Sequence, residues 1–353
     1  MSRTPTIYNI NKTKRILIMR PRRLFLKQAA AIGMTLLSSS SLTAAPPNEK
    51  KKTVPILLDT DIGTDVDDAF ALALILASPE LDLRGVTTVG TDPQTRALLV
   101  CRFLTAVGRS DIPVAAGAPP QPVEEIEKQG RYATSDGSRS SHTLQPVKET
   151  AVAFLYQRLK EDRKEWTLLA IGPLTNLARL LREHPDCKPW IKRIVLMAGS
   201  VRVGSKGQAP PEPEWNVRCD IPAAQAVFAS GIPLVVAPLD ATTMLKLEET
   251  QRRRFFQAKT PLTEQVRRLY ELWGERTPTL YDPLAVALCF EERFCTMEDL
   301  RLEVDAQGQT RIVKGTSNAR VATAIRRDDF LTWYVDRVAK QPALIHPQPK
   351  PGY

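Results

Sequence analysis

The sequence predicts an α/β protein, a single domain with a mostly parallel central sheet flanked by helices. Short apolar runs alternate with helical segments of about ten residues, the pattern of repeated βαβ units. Several of those runs end in glycine or in polar and acidic residues, as strands do where they open on the binding edge of a parallel sheet. At 353 residues, with 43% apolar and 25% charged side chains, the chain can bury a large core and has a globular composition.

Residues 1–45 stand apart. They hold eight of the 49 basic residues (Arg3, Lys12, Lys14, Arg15, Arg20, Arg22, Arg23, Lys27) and no acid. The net charge of +10 is therefore local: 41 basic and 39 acidic residues remain, about +2, and a nucleic-acid-binding footprint is unsupported. Arg22-Arg23-Leu24-Phe25-Leu26-Lys27 follows the twin-arginine pattern. An apolar run over 29–37 and small residues at Thr43-Ala44-Ala45 complete an export signal. The run is short and broken by Gly33, so no stable membrane anchor is expected. The expected destination is periplasmic or secreted, with Met19 an alternative start. Five scattered cysteines form no CxxC and no disulfide framework.

A Pro- and Lys-rich linker over 46–53 leads to a domain expected over 54–345. Residues 54–58 are a short apolar run and predict a buried strand. Helical sequence over 69–77 follows, stopped by Ser78-Pro79. A strand over 83–89, a helix over 95–107 and a strand over 113–117 come next. Residues 119–145, with prolines, charges and a Ser-rich run holding His142, predict a long surface loop. Beyond it the pattern gives a helix over 148–159 and a strand over 166–171. Gly172-Pro173 then opens another helix, and a strand over 191–197 ends in Ala198-Gly199-Ser200. A polar loop over 202–216, a helix near 222–230 and a strand over 233–238 follow. The last part reads as a charged helix over 248–274, an apolar helix over 284–290, strands near 300–304 and 310–314, and a helix over 328–340.

The chemistry concentrates behind the first strand. Asp59-Thr60-Asp61-Ile62-Gly63-Thr64-Asp65-Val66-Asp67-Asp68 places five carboxylates in ten residues. Carboxylates this dense repel one another unless a cation or ordered donors hold them. Oxygen ligands without His or Cys favour Ca²⁺ or Mg²⁺ over zinc. The simpler alternative is a solvated acidic turn in which Asp67 and Asp68 merely favour a helix N-terminus. An EF-hand is excluded, since the glycine stands fifth in the loop and no glutamate occupies the twelfth position.

With Ile171-Gly172-Pro173-Leu174-Thr175-Asn176, Glu214-Trp215-Asn216 and Tyr281-Asp282-Pro283, this Asp motif resembles the inosine–uridine preferring nucleoside hydrolase family over roughly residues 54–340. The resemblance implies a Rossmann-type core, one Ca²⁺, and hydrolysis of the N-glycosidic bond of ribonucleosides to base and ribose. It implies Asp61, Asp68, Asp282 and the carbonyl of Ile171 as metal ligands, with Asp61 also taking the proton of the attacking water. Asp67 would bind ribose hydroxyls, Glu214 and Asn216 the far side of the sugar, and Asp59 would support the ligands. The chemistry agrees: negative charge stabilises an oxocarbenium-like state, a metal acidifies water, and a carboxylate accepts its proton.

The sequence also departs from the family. The acidic loop is two residues longer than the commonest form. Thr91 or Asp92 stands where the family has Asn, and Gln208 aligns with a sugar-contacting Asn. Tyr281 replaces the His that serves as leaving-group acid in purine-cleaving members. Trp273, with Tyr270, is placed to stack on a base. A homodimer or homotetramer is the assembly the resemblance implies. Two other readings follow from single features. Asp59-x-Asp61 after an apolar strand resembles haloacid-dehalogenase-type phosphatases, and Tyr281 fits a periplasmic Ca²⁺-dependent nucleoside or sugar binder without turnover.

Overall fold

The computed structural model describes residues 53–118, 127–134, 144–161 and 165–340. The expected export signal, most of the expected linker and His142 lie outside the described residues. The first half runs β1 (Val54–Thr60), α1 (Asp67–Leu76), β2 (Leu81–Thr88), α2 (Pro93–Ala106), β3 (Val114–Ala116), α3 (Glu127–Thr134), α4 (Ala151–Glu161), β4 (Trp166–Ala170) and α5 (Thr175–Glu183). It continues with β5 (Ile191–Met197), α6 (Trp215–Cys219), α7 (Ile221–Phe228), β6 (Leu234–Ala237), α8 (Leu239–Thr242), α9 (Glu249–Gln257), α10 (Pro261–Trp273) and α11 (Tyr281–Leu288). The C-terminal part adds β7 (Cys295–Leu300), β8 (Leu302–Val304), β9 (Thr310–Ile312), β10 (Ala319–Ile325) and α12 (Arg327–Ala339).

Eight strands form one sheet in the order β3-β2-β1-β4-β5-β6-β10-β7. All neighbours pair parallel except β7, which runs antiparallel to β10 at the edge. Both faces are covered, which is why the central strands read as unbroken apolar runs. Side chains alternate between two cores: Ile56, Leu58, Leu169, Val195 and Met197 enter one, and Leu57, Leu168, Ala170, Ile194 and Leu196 the other. Helix α1 is buried along all ten residues, matching a sequence apolar all round. That burial carries Asp67 and Asp68, its first two residues, into the interior.

The structure corrects three expectations. The loop over 119–145 contains α3. The charged stretch 248–274 is two helices: Lys259 turns left-handed at φ 49°, and Thr260 caps α10 with Pro261 at its start. Strands near 300–304 and 310–314 pair only with each other, as the hairpin β8–β9. The main sheet is instead completed by β7 and β10. The first is a half-exposed edge strand with polar residues and the second is rich in small residues, so neither announces itself as an apolar run.

Candidate active site

Strand order runs one way from β1 and the other way from β4, so the crevice beyond their carboxyl ends is the switch point where open α/β sheets bind ligands. Asp59 pairs with Ala170 across these strands, and the Ile171 N–H donates to the Asp59 carbonyl at 2.9 Å. Asp61 and Ile171 therefore emerge side by side. A Cβ on Gly172 would stand 2.8 Å from Asp61 Oδ1 and 2.9 Å from its nitrogen, so only glycine admits this approach.

A cavity of about 500 Å³ opens here. Asp61, Asp67, Asp68, Ile171, Glu214, Asn216, Trp273, Tyr281 and Asp282 all line it. One carboxylate oxygen from each of Asp67, Asp68 and Asp282 lies within 4.8 Å of the others. Burial, then repulsion from neighbouring aspartates of the cluster and its loop, holds all three well above the usual carboxylate range. Asp61 stands beside this trio and is pushed up to about 6, chiefly by burial and against the pull of Arg96. Thr60 Oγ1 donates to Asp68 Oδ1 at 2.5 Å. Hard oxygen donors crowded at such cost, with Ile171 lining the same cavity, fit a hard divalent cation.

Asp59 does not line the cavity. Its Oδ1 accepts from Thr87 Oγ1 at 2.5 Å and Asn176 Nδ2 at 2.8 Å, while its Oδ2 is buried without a partner. Burial raises its carboxyl to about 7. An acid walled off in this way can brace its neighbours, but it cannot act as a phosphatase nucleophile.

On the other wall Glu214 caps α6. Its carboxylate accepts from the backbone N–H groups of Asn216 (2.8 Å), Gly199 (3.0 Å) and Val217 (3.3 Å). The Asn216 amide donates to the carbonyls of Met197 and Ile171. Burial still raises Glu214 from 4.5 to about 7 against those three bonds. The folded chain then holds more protons than the unfolded one between those two values. Stability from this group is full below about pH 4.5 and falls as pH rises to 7. In chelated protein, the stability difference between wild type and Glu214→Gln should shrink by on the order of 3 kcal/mol across that window. A difference that stays flat in urea unfolding would refute the assignment.

Sequence reasoning missed Arg96 on α2. Its side chain is 2% exposed, and its guanidinium donates to the Asp61 carbonyl, the Ile62 carbonyl (2.8 Å), Thr64 Oγ1 (2.7 Å) and the Thr91 carbonyl (2.7 Å). It thus clamps the acidic loop and offsets part of its charge. No sequence signal set it apart, since α2 carries a second arginine, Arg102, in the same setting. Arg96→Met should cost about 3 kcal/mol in urea unfolding, because several buried acceptors lose their donor. A loss under about 1 kcal/mol would remove its bracing role.

Two expected sugar contacts are not brought to the cavity. Asp92 turns its carboxylate to the start of α2, accepting from the Thr95 N–H at 3.1 Å in a left-handed conformation. Gln208 is exposed on the loop, where its carbonyl accepts from the Gly204 N–H. Tyr270 is buried, with its hydroxyl donating to the Glu275 carbonyl. Thr64, Asp65, Ser205, Glu212, Arg218 and Arg276 line the cavity although sequence reasoning gave them no role there.

The profile of the family described as inosine-uridine preferring nucleoside hydrolase matches residues 56–332. The pyrimidine-specific ribonucleoside hydrolase RihA of Escherichia coli is 32% identical over 310 residues, covering 81% of this chain and 98% of that protein. Among solved structures, a plant nucleoside hydrolase gives a TM-score of 0.71 at 21% identity, covering 82% of this chain and 99% of that one. A purine-preferring ribonucleoside hydrolase from Gardnerella vaginalis gives 0.69 at 23%, covering 81% and 98%. At those identities the structural likeness is one of fold.

Proposed function

We propose a reaction and a set of roles on one premise: the chain belongs to the inosine–uridine preferring nucleoside hydrolase family and is an N-glycosidase acting on ribonucleosides. The reaction proposed is Ca²⁺-dependent hydrolysis of the N-glycosidic bond, releasing base and ribose. One observation carries it, the convergence of the Asp67, Asp68 and Asp282 carboxylates within 4.8 Å in the switch-point cavity. Asp61, Asp68, Asp282 and the Ile171 carbonyl would hold the ion. When bound, such a cation acidifies a neighbouring water and offers open positions to vicinal hydroxyls.

Asp61 accepts the proton of the attacking water, a task suited to a carboxylate beside the reacting centre. Asp67 accepts hydrogen bonds from the ribose hydroxyls, and Glu214 and Asn216 hold the far side of the sugar. The surrounding negative charge favours the oxocarbenium-like state as the bond to the base lengthens. Tyr281 opens α11 at the cavity wall, and burial pushes its hydroxyl above the usual range. It therefore serves the leaving base as a hydrogen-bond donor and not as a proton source. The Trp273 ring, half-buried on the same cavity, supplies a stacking face.

Pyrimidine ribonucleosides are the first substrates proposed, because the 32% identical relative is named for them. The arginine pair at Arg22-Arg23 supports export to the periplasm. Replacing both by lysine should leave the protein in the cytoplasm, and unchanged export would reject that route. A dimer or tetramer is the proposed assembly, and a monomer in light scattering would reject it. Among the described residues no helix is long and apolar enough to cross a membrane.

The reaction is tested by reducing-sugar release from a ribonucleoside panel by the chain starting at residue 46. Release should vanish with chelator and return with calcium. Tight binding of every nucleoside with no ribose released would sink the reaction, and full activity in chelator would sink its metal dependence.

A further inference from the structure

We propose that Gln129 of α3 is a positioning residue for the metal site: it fixes the backbone from which Asp67 and Asp68 project and so sets the affinity of their carboxylates for a cation. This role rests on the metal-dependent reading of the cavity and adds a residue that shapes its site from outside.

Asp67 and Asp68 are the first two residues of α1. Helices usually start on a Ser, Thr, Asp or Asn whose side chain locks the first turn. Here that position falls to Val66, which makes no side-chain capping bond. The lock is therefore missing at the turn that must hold two repelling carboxylates, and the chain ahead of α1 has to be held by other elements.

Two buried side chains hold it. Arg96 reaches from α2 to the carbonyls of Asp61 and Ile62 and to Thr64 Oγ1. Gln129, only 1% exposed, reaches from α3 to the two residues just before Val66. Its Nε2 donates to the carbonyls of Thr64 (3.2 Å) and Asp65 (2.9 Å). Asp65 Oδ1 completes the junction by accepting from the Val66 N–H at 2.7 Å. The Gln129 amide works only this way round, since turning it over would set an acceptor against two acceptors. Its Oε1 is left buried with no hydrogen-bond partner. An apolar side chain of the same size would avoid that cost, so the two bonds to the loop are what a glutamine supplies here.

The helix that carries Gln129 is itself anchored. Tyr132, three residues on and on the same face, is buried and donates from its hydroxyl to Gln265 Oε1 of α10 at 2.7 Å. The Arg102 guanidinium of α2 lies 5.2 Å from the centre of its ring. Gln129 thus donates from a fixed support. Unlike Arg96 it brings no charge, so it acts on a cation through geometry alone. Groups that orient metal ligands are typically worth about 10- to 100-fold in metal affinity.

The test titrates calcium into the chelator-stripped full chain by calorimetry, which needs no turnover. Gln129→Met, which keeps the volume and loses both donors, should bind calcium about 10- to 100-fold more weakly than the wild type. Tyr132→Phe, which loses a buried hydrogen bond of the same helix and leaves the loop alone, should stay within about threefold. A loss below about tenfold in Gln129→Met overturns the proposal. So does an equal loss in Tyr132→Phe, because α3 would then matter only as part of the fold. If Gln129→Met does not fold, Gln129→Asn, one methylene short of the carbonyls, carries the same prediction and the same refutation. A wild type that binds calcium but releases no ribose sinks the reaction and leaves this comparison readable. A wild type that binds no calcium overturns both.

Discussion

Asp68→Asn should lower turnover by roughly 10³-fold or more while raising the melting temperature of the metal-free chain. The two effects share one cause. Asp68 is 3% exposed at the start of a helix buried on all sides. Burial and the charges of Asp61 and Asp67 disfavour its ionised form. An amide of the same shape keeps an acceptor for Thr60 and removes the repulsion, so a few degrees of stabilisation follow. Calcium held by the folded chain alone, as proposed, should raise the wild-type melting temperature according to its concentration. That rise should disappear in the variant. Differential scanning fluorimetry with and without chelator reads both arms. A destabilised metal-free variant that still responds to calcium would contradict the picture.

Asp61→Asn should separate chemistry from metal binding. Asp67, Asp68 and Asp282 converge without it, so a calcium-induced rise in melting temperature should persist at higher calcium concentrations. Turnover should still fall by about 10²- to 10⁴-fold, the usual contribution of a positioned general base. Single-turnover ribose release at saturating calcium isolates that step. If kcat recovers fully once calcium saturates, Asp61 is a ligand only and the proton leaves by another route.

Much of this was legible because two physical signals coincided. Apolar runs such as Leu168-Leu169-Ala170 and Ile194-Val195-Leu196 have to be buried on both faces, which fixes a parallel sheet. The acidic residues behind β1 have to be held by something. Their convergence with Asp282, more than two hundred residues away, came from the resemblance and not from periodicity. What stayed hidden involved side chains whose job depends on packing. Arg96 looks like any helical arginine until its guanidinium is seen against five acceptors. Asp92 matched a sugar-binding position by order along the chain, yet the backbone N–H of Thr95 takes its carboxylate. Strand β7 was invisible because an edge strand with one wet face needs no apolar run.

Diffraction from crystals of the chain starting at residue 46, soaked in calcium and ribose, tests the central claim most directly. The account predicts one anomalous peak bounded by Asp61, Asp68, Asp282 and the Ile171 carbonyl, with two neighbouring sugar hydroxyls on the ion. A cavity that stays metal-free at millimolar calcium, or sugar bound with no ion beside it, would contradict it.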